Sequence, residues 1–489
     1  MRVSFRSDSI DDYRRFLAIR KLPSYSFRGG VASFPDEYSH LVDGVSAPSV
    51  DKRPFNPSPF LFDYQADISR LAIRKQKYAV FADCGLGKTL IMLEFAQHAA
   101  NATGKRVLIV SPLMVVKQTV AEALRWHPGI DIKAVRSSEL QEWISGRGTQ
   151  IGVTNYEAIR DSYKHKLGGL ILDESSMLKS HYGKWGTRLI EMGRGLDWKL
   201  CSTGTPAPND RIEYANHAVF LDRAKTTNEF LASYFINRGE TNNRWELKPH
   251  ALRPFYRSLS AWSMFLSDPA VYGWSDNTTN IPPINIRVED VPLTNEQRKA
   301  AQRLTGNILT HRIGGIGDRS KLSQIALGID KDRTPSNKPG FIRDLIGSWE
   351  DESTIVWCRF NEEQQVMADA LGGCNISGAT KQADRERMID SFVCRDERIL
   401  TTKPTILGFG LNLQVATRQV VSGIKDSYEE FYQAVKRSNR VGSTRPLNVH
   451  ICCTELEMPM VENVLAKADR VMADTKEQEE LFRESWHGV

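Results

Sequence analysis

Residues 82–89, Ala-Asp-Cys-Gly-Leu-Gly-Lys-Thr, constrain the fold of this chain more than any other segment. A short apolar run, Tyr78–Phe81, precedes this segment, and a helical pattern follows it from Leu90 to Ala96. Strand, glycine-rich turn and helix form the context that a phosphate-binding loop requires. Ala82 occupies the position of the usual first glycine. The segment predicts a nucleoside triphosphate site in an α/β domain.

The residue types of this loop fit the chemistry of a bound triphosphate. Gly85 and Gly87 allow the backbone to turn its N–H groups toward phosphate oxygens. Lys88 would place a cation on the β- and γ-phosphates, and Thr89 would offer its hydroxyl to Mg²⁺ at the positive end of a helix. We therefore expect a nucleotide with Mg²⁺ as the cofactors.

Short apolar runs alternate with helical patterns over residues 60–225 and again over residues 336–470. This alternation predicts α/β regions with parallel sheets and helices on both faces. In the first region the predicted strands are Tyr78–Phe81, Val107–Val110, Ile151–Val153, Leu170–Leu172 and Leu200–Ser202. In the second they are Ser353–Cys358, Cys374–Ile376, Arg398–Thr401, Gln419–Val421 and Asn448–Cys452, with helices at Glu362–Leu371, Asp384–Phe392 and Tyr428–Arg440.

Composition excludes several classes of protein. The 489 residues suffice for about three domains. The 41% hydrophobic and 25% charged residues, with no apolar run of membrane-spanning length and no apolar signal core, predict a cytoplasmic protein without a membrane partner. None of the seven cysteines forms a Cys-x-x-Cys pair, so we expect no zinc. The net charge of +6 is compatible with a polyanionic partner but is no proof of one.

An apolar run, Leu170–Leu172, ends in the acidic pair Asp173 and Glu174. At the carboxyl end of a strand, Asp173 can hold Mg²⁺ while Glu174 orients and deprotonates the attacking water. Acids after a strand are often solvated caps, and the pair alone is weak evidence. Its position downstream of a phosphate-binding loop favours the catalytic interpretation.

Hydrolysis also needs cations beside the γ-phosphate, and Arg437 and Arg440 are candidates. They are three residues apart, so on a helix they share one face. We expect them to act as arginine fingers. The alternative is a solvated basic face of a helix.

Residues 226–292 interrupt the α/β rhythm and show no regular series of strands. They contain Trp245, Trp262 and Trp274, which either pack inside this segment or stack on nucleic-acid bases. Packing is the favoured interpretation. A basic helical stretch, Gln297–Arg303, follows.

Taken together, the motifs resemble those of superfamily 2 helicases, particularly the Swi/Snf-type branch. The compact layout also resembles helicases encoded by bacteriophages. The sequence departs from the usual pattern at Ala82–Cys84, at Ser176 and at Ser443. The matching segments are Tyr64-Gln65, Ala82–Thr89, Ser111–Leu113, Val153–Glu157, Asp173–Ser176, Ser202–Asn209, Ile355–Phe360, Ile376–Thr380, Gly408–Gln414, and Gln433 to Gly442 with Arg437 and Arg440.

The resemblance implies two tandem RecA-like lobes, with ATP bound in the cleft between them. The expected domains are an N-terminal extension of unknown role (1–58), lobe 1 (59–225), a partly helical bridge (226–335), lobe 2 (336–470) and a helical tail (471–489).

The resemblance also implies roles for individual residues. Lys88, Asp173, Glu174, Arg437 and Arg440 would be catalytic, with Thr89 and Asp173 at Mg²⁺. The expected ATP-binding residues are Gln65, Gly85, Gly87, Lys88, Thr89 and Gly410. The expected nucleic-acid contacts are Ser111, Thr154, Asn155, Arg359, Thr380, Thr402 and Asn412, and the expected coupling residues are Thr203, Thr205 and Gln433.

The function implied by the resemblance is an ATP-dependent DNA motor that binds DNA without sequence specificity. Such a motor either separates strands as a helicase or moves along duplex DNA without separating them. An ATP-gated DNA-binding clamp and an RNA motor are alternatives. Replication or recombination proteins are possible partners.

Overall fold

The computed structural model describes residues 2–6, 8–22, 25–34, 42–45, 54–160, 166–178, 184–239, 245–275, 281–305, 316–349, 351–407, 413–440 and 443–485. The chain divides into two compact units. Unit 1 comprises Met1–Asp276 and Val471–Val489, and unit 2 comprises Asn277–Arg470.

Unit 1 is built on a seven-stranded parallel sheet flanked by helices. Its strand order is β12-β4-β9-β8-β5-β7-β6. The strands of this sheet are β4 (Lys77–Ala82), β5 (Val107–Ser111), β6 (Ile132–Ala134), β7 (Ile151–Asn155), β8 (Gly169–Asp173), β9 (Trp198–Thr203) and β12 (Ser263–Leu266). The helices are α2 (Asp63–Lys75), α3 (Lys88–Thr103), α4 (Leu113–Trp126), α5 (Leu140–Ser145), α6 (Lys184–Met192), α7 (Tyr214–Phe220), α8 (Thr227–Tyr234) and α9 (Leu252–Ser260), and a small hairpin joins β10 (Phe235–Asn237) to β11 (Trp245–Leu247).

The first residues of unit 1 form an N-terminal module, which we define as the described part of residues 2–34. It consists of β1 (Arg2–Ser4), α1 (Ile10–Arg20), β2 (Ser26–Arg28) and β3 (Val31–Ser33). The three strands pair antiparallel in the order β1-β3-β2.

Unit 2 contains a six-stranded parallel sheet in the order β13-β18-β17-β14-β16-β15. Its strands are β13 (Ile284–Asp290), β14 (Thr354–Trp357), β15 (Cys374–Ile376), β16 (Ile399–Thr402), β17 (Arg418–Val421) and β18 (Leu447–Cys453). Its helices are α10 (Asn295–Thr305), α11 (Ile316–Leu327), α12 (Lys338–Gly347), α13 (Asn361–Leu371), α14 (Gln382–Val393), α15 (Pro404–Leu407), α16 (Tyr428–Val435) and the first part of α17 (Met458–Ser485).

The central strands of both large sheets are buried on both faces, as in parallel sheets that helices cover, whereas the edge strands β6 and β13 are more exposed. In β4, Tyr78 and Val80 face one apolar cluster, whereas Ala79 and Phe81 face another. This two-sided burial explains why the strands appear in the sequence as continuous apolar runs. The predicted α/β architecture of two parallel-sheet lobes is confirmed.

The bridge expected over residues 226–335 does not form a body of its own. Residues up to Asp276 belong to unit 1, where β12 pairs with β4, and β13 pairs with β18 in unit 2. Neither strand has a clear signal in the sequence. All four residues of β12 are buried directly after a helical segment, and β13 is a largely exposed edge strand without a clear alternation of burial.

Within the expected tail over residues 471–489, the described residues up to Ser485 continue α17, which begins at Met458. Trp262 is buried in the core of unit 1, and the indole of Trp274 donates a hydrogen bond to Asp67 at 2.8 Å. Both observations agree with a packing role for these tryptophans. Within the described residues, no helix is both long and apolar enough to cross a bilayer.

Candidate nucleotide-binding site

The glycine-rich loop joins the end of β4 at Ala82 to the start of α3 at Lys88. Gly85 has φ 91° and Gly87 has φ 68°, both in the left-handed region that glycine adopts without steric cost. Gly87 is also the N-cap of α3, so the loop ends at a helix N-terminus. The structure therefore has the backbone that binds phosphate at such sites.

The ammonium of Lys88 lies over this loop. Its Nζ is 2.9 Å from the carbonyl oxygen of Ala82 and 3.2 Å from that of Asp83. These two hydrogen bonds hold the cation beside the concave backbone where phosphates would bind.

Gln65, an expected nucleotide contact, hydrogen-bonds to the backbone of the glycine-rich loop. Only 2% of Gln65 is exposed, and its Nε2 donates to the carbonyl of Leu86 at 3.2 Å. The hydroxyl of Tyr64 donates to the same carbonyl at 3.1 Å. A Cβ atom on Gly87 would collide with Nε2 of Gln65. The structure thus shows Gln65 as a positioning residue, and adenine recognition stays a prediction.

Asp173 ends β8, next to the ends of β5 and β9 in the sheet. Its Oδ2 accepts a hydrogen bond from the Ser111 hydroxyl at 3.1 Å, and its Oδ1 accepts one from the Glu174 amide at 3.1 Å. Burial raises the pKa of Asp173 to about 7; the Glu174 carboxylate adds to this rise and Lys88 opposes it. The neighbouring carboxylates of Asp173 and Glu174 offer oxygen donors suited to a divalent ion, and the Lys88 ammonium lies near them.

Glu174 adopts an unusual backbone conformation for a residue with a side chain, with φ 50°. Such positions are strained and persist where neighbouring contacts fix them. The Tyr156 hydroxyl fixes this one, because it donates to the Asp173 carbonyl at 2.6 Å. The Glu174 carboxylate also accepts a hydrogen bond from the Thr203 hydroxyl at 3.1 Å.

Thr203 and Thr205 are thereby placed close to the candidate base. The amide of Thr205 donates to the Thr203 hydroxyl at 3.2 Å, and both residues are buried. A movement of the segment after β9 would therefore reach Glu174 through two hydrogen bonds. Their role in coupling stays a prediction.

Thr89, the other expected metal ligand, follows Lys88 in α3. Burial raises the pKa of the neighbouring Glu122 carboxyl of α4, and the Thr89 side chain opposes that rise. The Thr89 hydroxyl and the Asp173 carboxylate are the oxygen donors that Mg²⁺ would use here.

Sequence reasoning did not assign roles to Tyr156, Glu122 or His217. The Nε2 of His217 lies 3.1 Å from the Ser175 hydroxyl, and burial lowers the pKa of His217 to about 4. A neutral His217 thus anchors the segment after Asp173 and Glu174. The pattern of the sequence carries no signal for these contacts, since they join segments far apart in the chain.

Three of the expected nucleic-acid contacts have side chains that bind other parts of the protein, and their contact with nucleic acid stays a prediction. Ser111, Thr154 and Thr402 are all buried within the protein. Ser111 binds Asp173, the Thr154 hydroxyl donates to the Val135 carbonyl at 2.9 Å, and the Thr402 hydroxyl donates to the Ile376 carbonyl at 2.8 Å. The family resemblance implied these contacts; all three residues lie at or next to the end of a strand, where the pleat turns their side chains inward.

Asn155, Arg359 and Thr380 are partly exposed and remain candidates. The guanidinium of Arg359 lies 4.7 Å from the ring centroid of Phe360, and burial lowers the pKa of Arg359. The Thr380 hydroxyl accepts a hydrogen bond from the Ser377 amide at 2.9 Å. Gly410, Asn412 and Gly442 lie outside the described residues.

The expected helix over Tyr428–Arg440 is too long. α16 ends at Val435, and Arg437 and Arg440 lie in the turns after it rather than on one helical face. The Gln419 side chain ends the helix by donating to the carbonyls of Ala434 and Val435 at 3.1 and 3.4 Å.

The three predicted polar residues of this segment differ in environment. Arg437 is 3% exposed, whereas Arg440 is half-buried and its Nε donates to the Lys436 carbonyl at 2.8 Å. Gln433 is 4% exposed. Their catalytic and coupling roles stay predictions.

Unit 2 has the same strand–loop–helix arrangement at β14 and α13, but with different chemistry. The amides of Arg359 and Phe360 donate to the Glu363 carboxylate at 2.7 and 2.9 Å. An anion would bind these amides at a helix N-terminus, and here a carboxylate of the chain already occupies them. These two amides at the N-terminus of α13 are therefore already paired and not free for a phosphate.

Comparisons with known proteins agree with this geometry. Residues 74–340 match the SNF2-related domain, and residues 337–442 match the helicase conserved C-terminal domain. The chain is 26% identical over 444 residues to Protein CHROMATIN REMODELING 5 of Arabidopsis thaliana, covering 80% of this chain and 25% of that protein. It is 22% identical over 440 residues to ATP-dependent DNA helicase DDM1 of the same plant, covering 75% and 55%.

A solved structure, the Sulfolobus solfataricus SWI2/SNF2 ATPase core in complex with dsDNA, is also similar. It has 18% sequence identity and a TM-score of 0.41, covering 89% of this chain and 99% of that one. The chain spans between a quarter and about half of the length of the two plant relatives. The resemblance to phage-encoded helicases stays a prediction.

Proposed function

The chain belongs to the SNF2-related family, and on this premise we propose that it is a DNA-dependent ATPase that moves along double-stranded DNA. The observation that carries the proposal is the contact between the Thr203 hydroxyl and the Glu174 carboxylate at 3.1 Å. This contact links the candidate base to the end of β9, and we infer that movement of the segment after β9 is coupled to nucleotide chemistry through it. The names of relatives, which refer to chromatin remodelling and to DNA repair and recombination, support DNA as the track.

In the proposed mechanism, Glu174 accepts a proton from the attacking water, and Thr203 holds its carboxylate in place. Lys88 binds the phosphates, and Ser111 orients Asp173. Mg²⁺, held by Asp173 and Thr89, would neutralise negative charge on the phosphates. Arg437 and Arg440 would stabilise the charge of the transition state.

The test is the steady-state ATPase rate without nucleic acid and with single-stranded DNA, duplex DNA or RNA, at two salt concentrations. We expect duplex DNA to stimulate hydrolysis most, and higher salt to raise the DNA concentration needed, because phosphate contacts release counterions. The absence of stimulation by any polymer would favour an ATP-gated clamp. Preferential stimulation by RNA would contradict DNA as the track.

A variant makes the test specific for the proposed site. Glu174→Gln should bind ATP and DNA normally while its turnover falls by about 10²–10⁴-fold, the typical contribution of a general base. The matched control is Glu142→Gln, an exposed glutamate in α5 of the same unit. Equal turnover in the two variants would remove Glu174 from the base role.

Strand separation is a second candidate activity, favoured by the printed name of one relative, ATP-dependent DNA helicase DDM1. Displacement of a strand from a tailed duplex, measured beside displacement of a triplex-forming strand, separates the two activities. Triplex displacement alone indicates translocation on duplex DNA, and release of the duplex strand indicates a helicase.

A cytoplasmic location and replication or recombination partners remain part of the proposal.

A further inference from the structure

The N-terminal module has two chemically different faces. Ile19, Leu22, Ala32 and Phe34 are buried and belong to the apolar core of unit 1. On the other face, aromatic rings remain exposed: 61% of Tyr13, 41% of Tyr25 and 36% of Phe27. The module therefore packs on unit 1 through its buried residues, and the exposed rings are not needed for that packing.

The exposed rings form one continuous group with Phe16, which we call the aromatic face (Tyr13, Phe16, Tyr25 and Phe27). Tyr13 and Phe16 lie with their planes 19° apart and their centroids 6.3 Å apart. The Phe16 and Phe27 centroids are 4.8 Å apart, and those of Tyr25 and Phe27 are 5.4 Å apart. Contacts between the rings limit their freedom, so a ligand stacked on them would order few additional side chains.

The local sequence explains this alignment. Tyr13, Phe16 and Arg20 have the i, i+3, i+7 spacing that shares one face of α1. Tyr25, directly before β2, and Phe27, within it, are two residues apart, the spacing that places side chains of an extended chain on one face. Helix and strand thus contribute to the same surface.

The N-terminal module that carries the aromatic face has an excess of positive charge. Residues 1–34 contain seven basic against three acidic residues, in a chain whose net charge is +6. Arg20, Lys21 and Arg28 are exposed, and the Arg20 guanidinium lies 5.8 Å from the Phe16 ring centroid.

Two of the three acidic residues of the module, Asp11 and Asp12, bind other arginines. Arg6 pairs with Asp12 at 3.4 Å and Arg14 pairs with Asp11 at 3.3 Å. Within the described part of the chain, no ion pair involves Arg20, Lys21 or Arg28. The Arg20 guanidinium beside the Phe16 ring therefore stays available for an anionic ligand.

We propose that the aromatic face is a binding site for single-stranded DNA, distinct from the candidate ATPase site. Unpaired bases stack on exposed rings whatever their identity, and neighbouring cations bind the backbone phosphates. A duplex does not offer base faces to such a surface. An apolar protein partner would have to bury the adjacent arginines, which is costly without a matching acid.

The test uses the full chain and a short deoxythymidine oligonucleotide carrying 5-iododeoxyuridine. Photo-crosslinked peptides are identified by mass spectrometry, and the Kd is measured by fluorescence anisotropy. We expect crosslinks to residues 13, 25 or 27. The double variant Tyr13→Ala/Tyr25→Ala should bind about tenfold or more weakly, the loss of one to two stacked bases.

Matched controls lie on the same helix. Ile10→Ala removes an exposed aliphatic side chain, and Arg14→Gln removes an exposed arginine that already pairs with Asp11. Both should keep the Kd of the unaltered chain, whereas Arg20→Gln should weaken binding and reduce its salt dependence.

Crosslinks confined to the rest of the chain would overturn the proposal, and so would an unchanged Kd in the double variant. Either result would favour a protein as the ligand of the aromatic face. Stimulation of the ATPase by duplex DNA should stay unchanged in all these variants. If duplex DNA failed to stimulate the ATPase of the unaltered chain, the proposed function would be contradicted. The crosslinking result would still test the aromatic face, because it does not depend on ATP hydrolysis.

Discussion

Asp173 shows how a functional residue is kept in an unfavourable state. It is 6% exposed and lies beside Glu174, so folding brings a carboxylate into a site where negative charge is costly. The hydrogen bonds from Ser111 and from the Glu174 amide, together with Lys88, reduce that cost only in part, because the pKa still rises to about 7. A bound cation would favour the ionised form.

The variant Asp173→Asn should therefore be more stable than the unaltered chain at pH 8 without Mg²⁺, by on the order of 2 kcal/mol. Between the ordinary pKa of 3.8 and the folded value of about 7, the folded state binds a proton that the unfolded state lacks. Stability of the unaltered chain consequently falls as pH rises through that window, and the variant lacks this dependence. Thermal melting of unit 1 at pH 5 and pH 8 measures the difference.

The same variant should lose Mg²⁺-dependent ATPase activity. A gain in melting temperature that is larger at pH 5 than at pH 8 would contradict the raised pKa. Asp131→Asn, a change of a carboxylate at the exposed edge of unit 1, serves as the control and should show little pH-dependent difference.

At the scale of elements, α3 is bounded by two glycines in the same backbone region but in different surroundings. Gly87 at its N-cap has φ 68°, and Gly104 at its C-cap has φ 65°. A Cβ atom on Gly87 would collide with Gln65, whereas one on Gly104 would meet nothing within 4 Å. The two positions separate the cost of the backbone conformation from the cost of blocking the loop.

We expect Gly87→Ala to weaken ATP binding by tenfold or more, because it both strains the loop and displaces Gln65. Gly104→Ala should cost about 1–2 kcal/mol of stability for the left-handed conformation and leave the ATP Kd unchanged. Titration with a fluorescent ATP analogue and thermal melting measure the two effects. Equal ATP affinity in the two variants would show that the contact with Gln65 does not shape the loop.

The predicted end of a helix was wrong where a side chain distant in sequence ends the helix. Apolar periodicity located α16, but its end at Val435 depends on Gln419, which comes from β17. The fully buried β12 was missed because a four-residue apolar run after a helix has no period of its own.

At the scale of the whole molecule, the chain forms unit 1 from two separate parts of its sequence. The second half of α17 returns to unit 1, where the Asp474 carboxylate accepts two hydrogen bonds from the Arg211 guanidinium at 2.6 and 3.1 Å. The Arg211 Nε also lies 3.0 Å from the Tyr256 hydroxyl. Glu479 accepts a hydrogen bond from the Ser267 hydroxyl at 2.8 Å, directly after β12.

Asp474→Ala should therefore lower the stability of unit 1 by about 1–3 kcal/mol, since it leaves a partly buried guanidinium without its acceptor. Glu191→Ala is the matched control, because its pair with Arg194 is exposed at both ends and should contribute less than about 1 kcal/mol. Melting of unit 1 and hydrogen exchange at residues 211–213 report the change. Similar losses in both variants would show that the Arg211 pair does not stabilise unit 1.

The sequence by itself determined the two parallel-sheet lobes, the phosphate-binding loop and the acidic pair. These are local properties: an apolar run buries a strand, and a glycine permits a positive φ wherever the chain turns. Only the tertiary structure decided that Ser111 supports Asp173 and that Thr203 holds Glu174, because each contact depends on which strands are neighbours in the sheet. Likewise, the aromatic face exists because a helix and a strand of the N-terminal module meet, which no spacing within either element reveals.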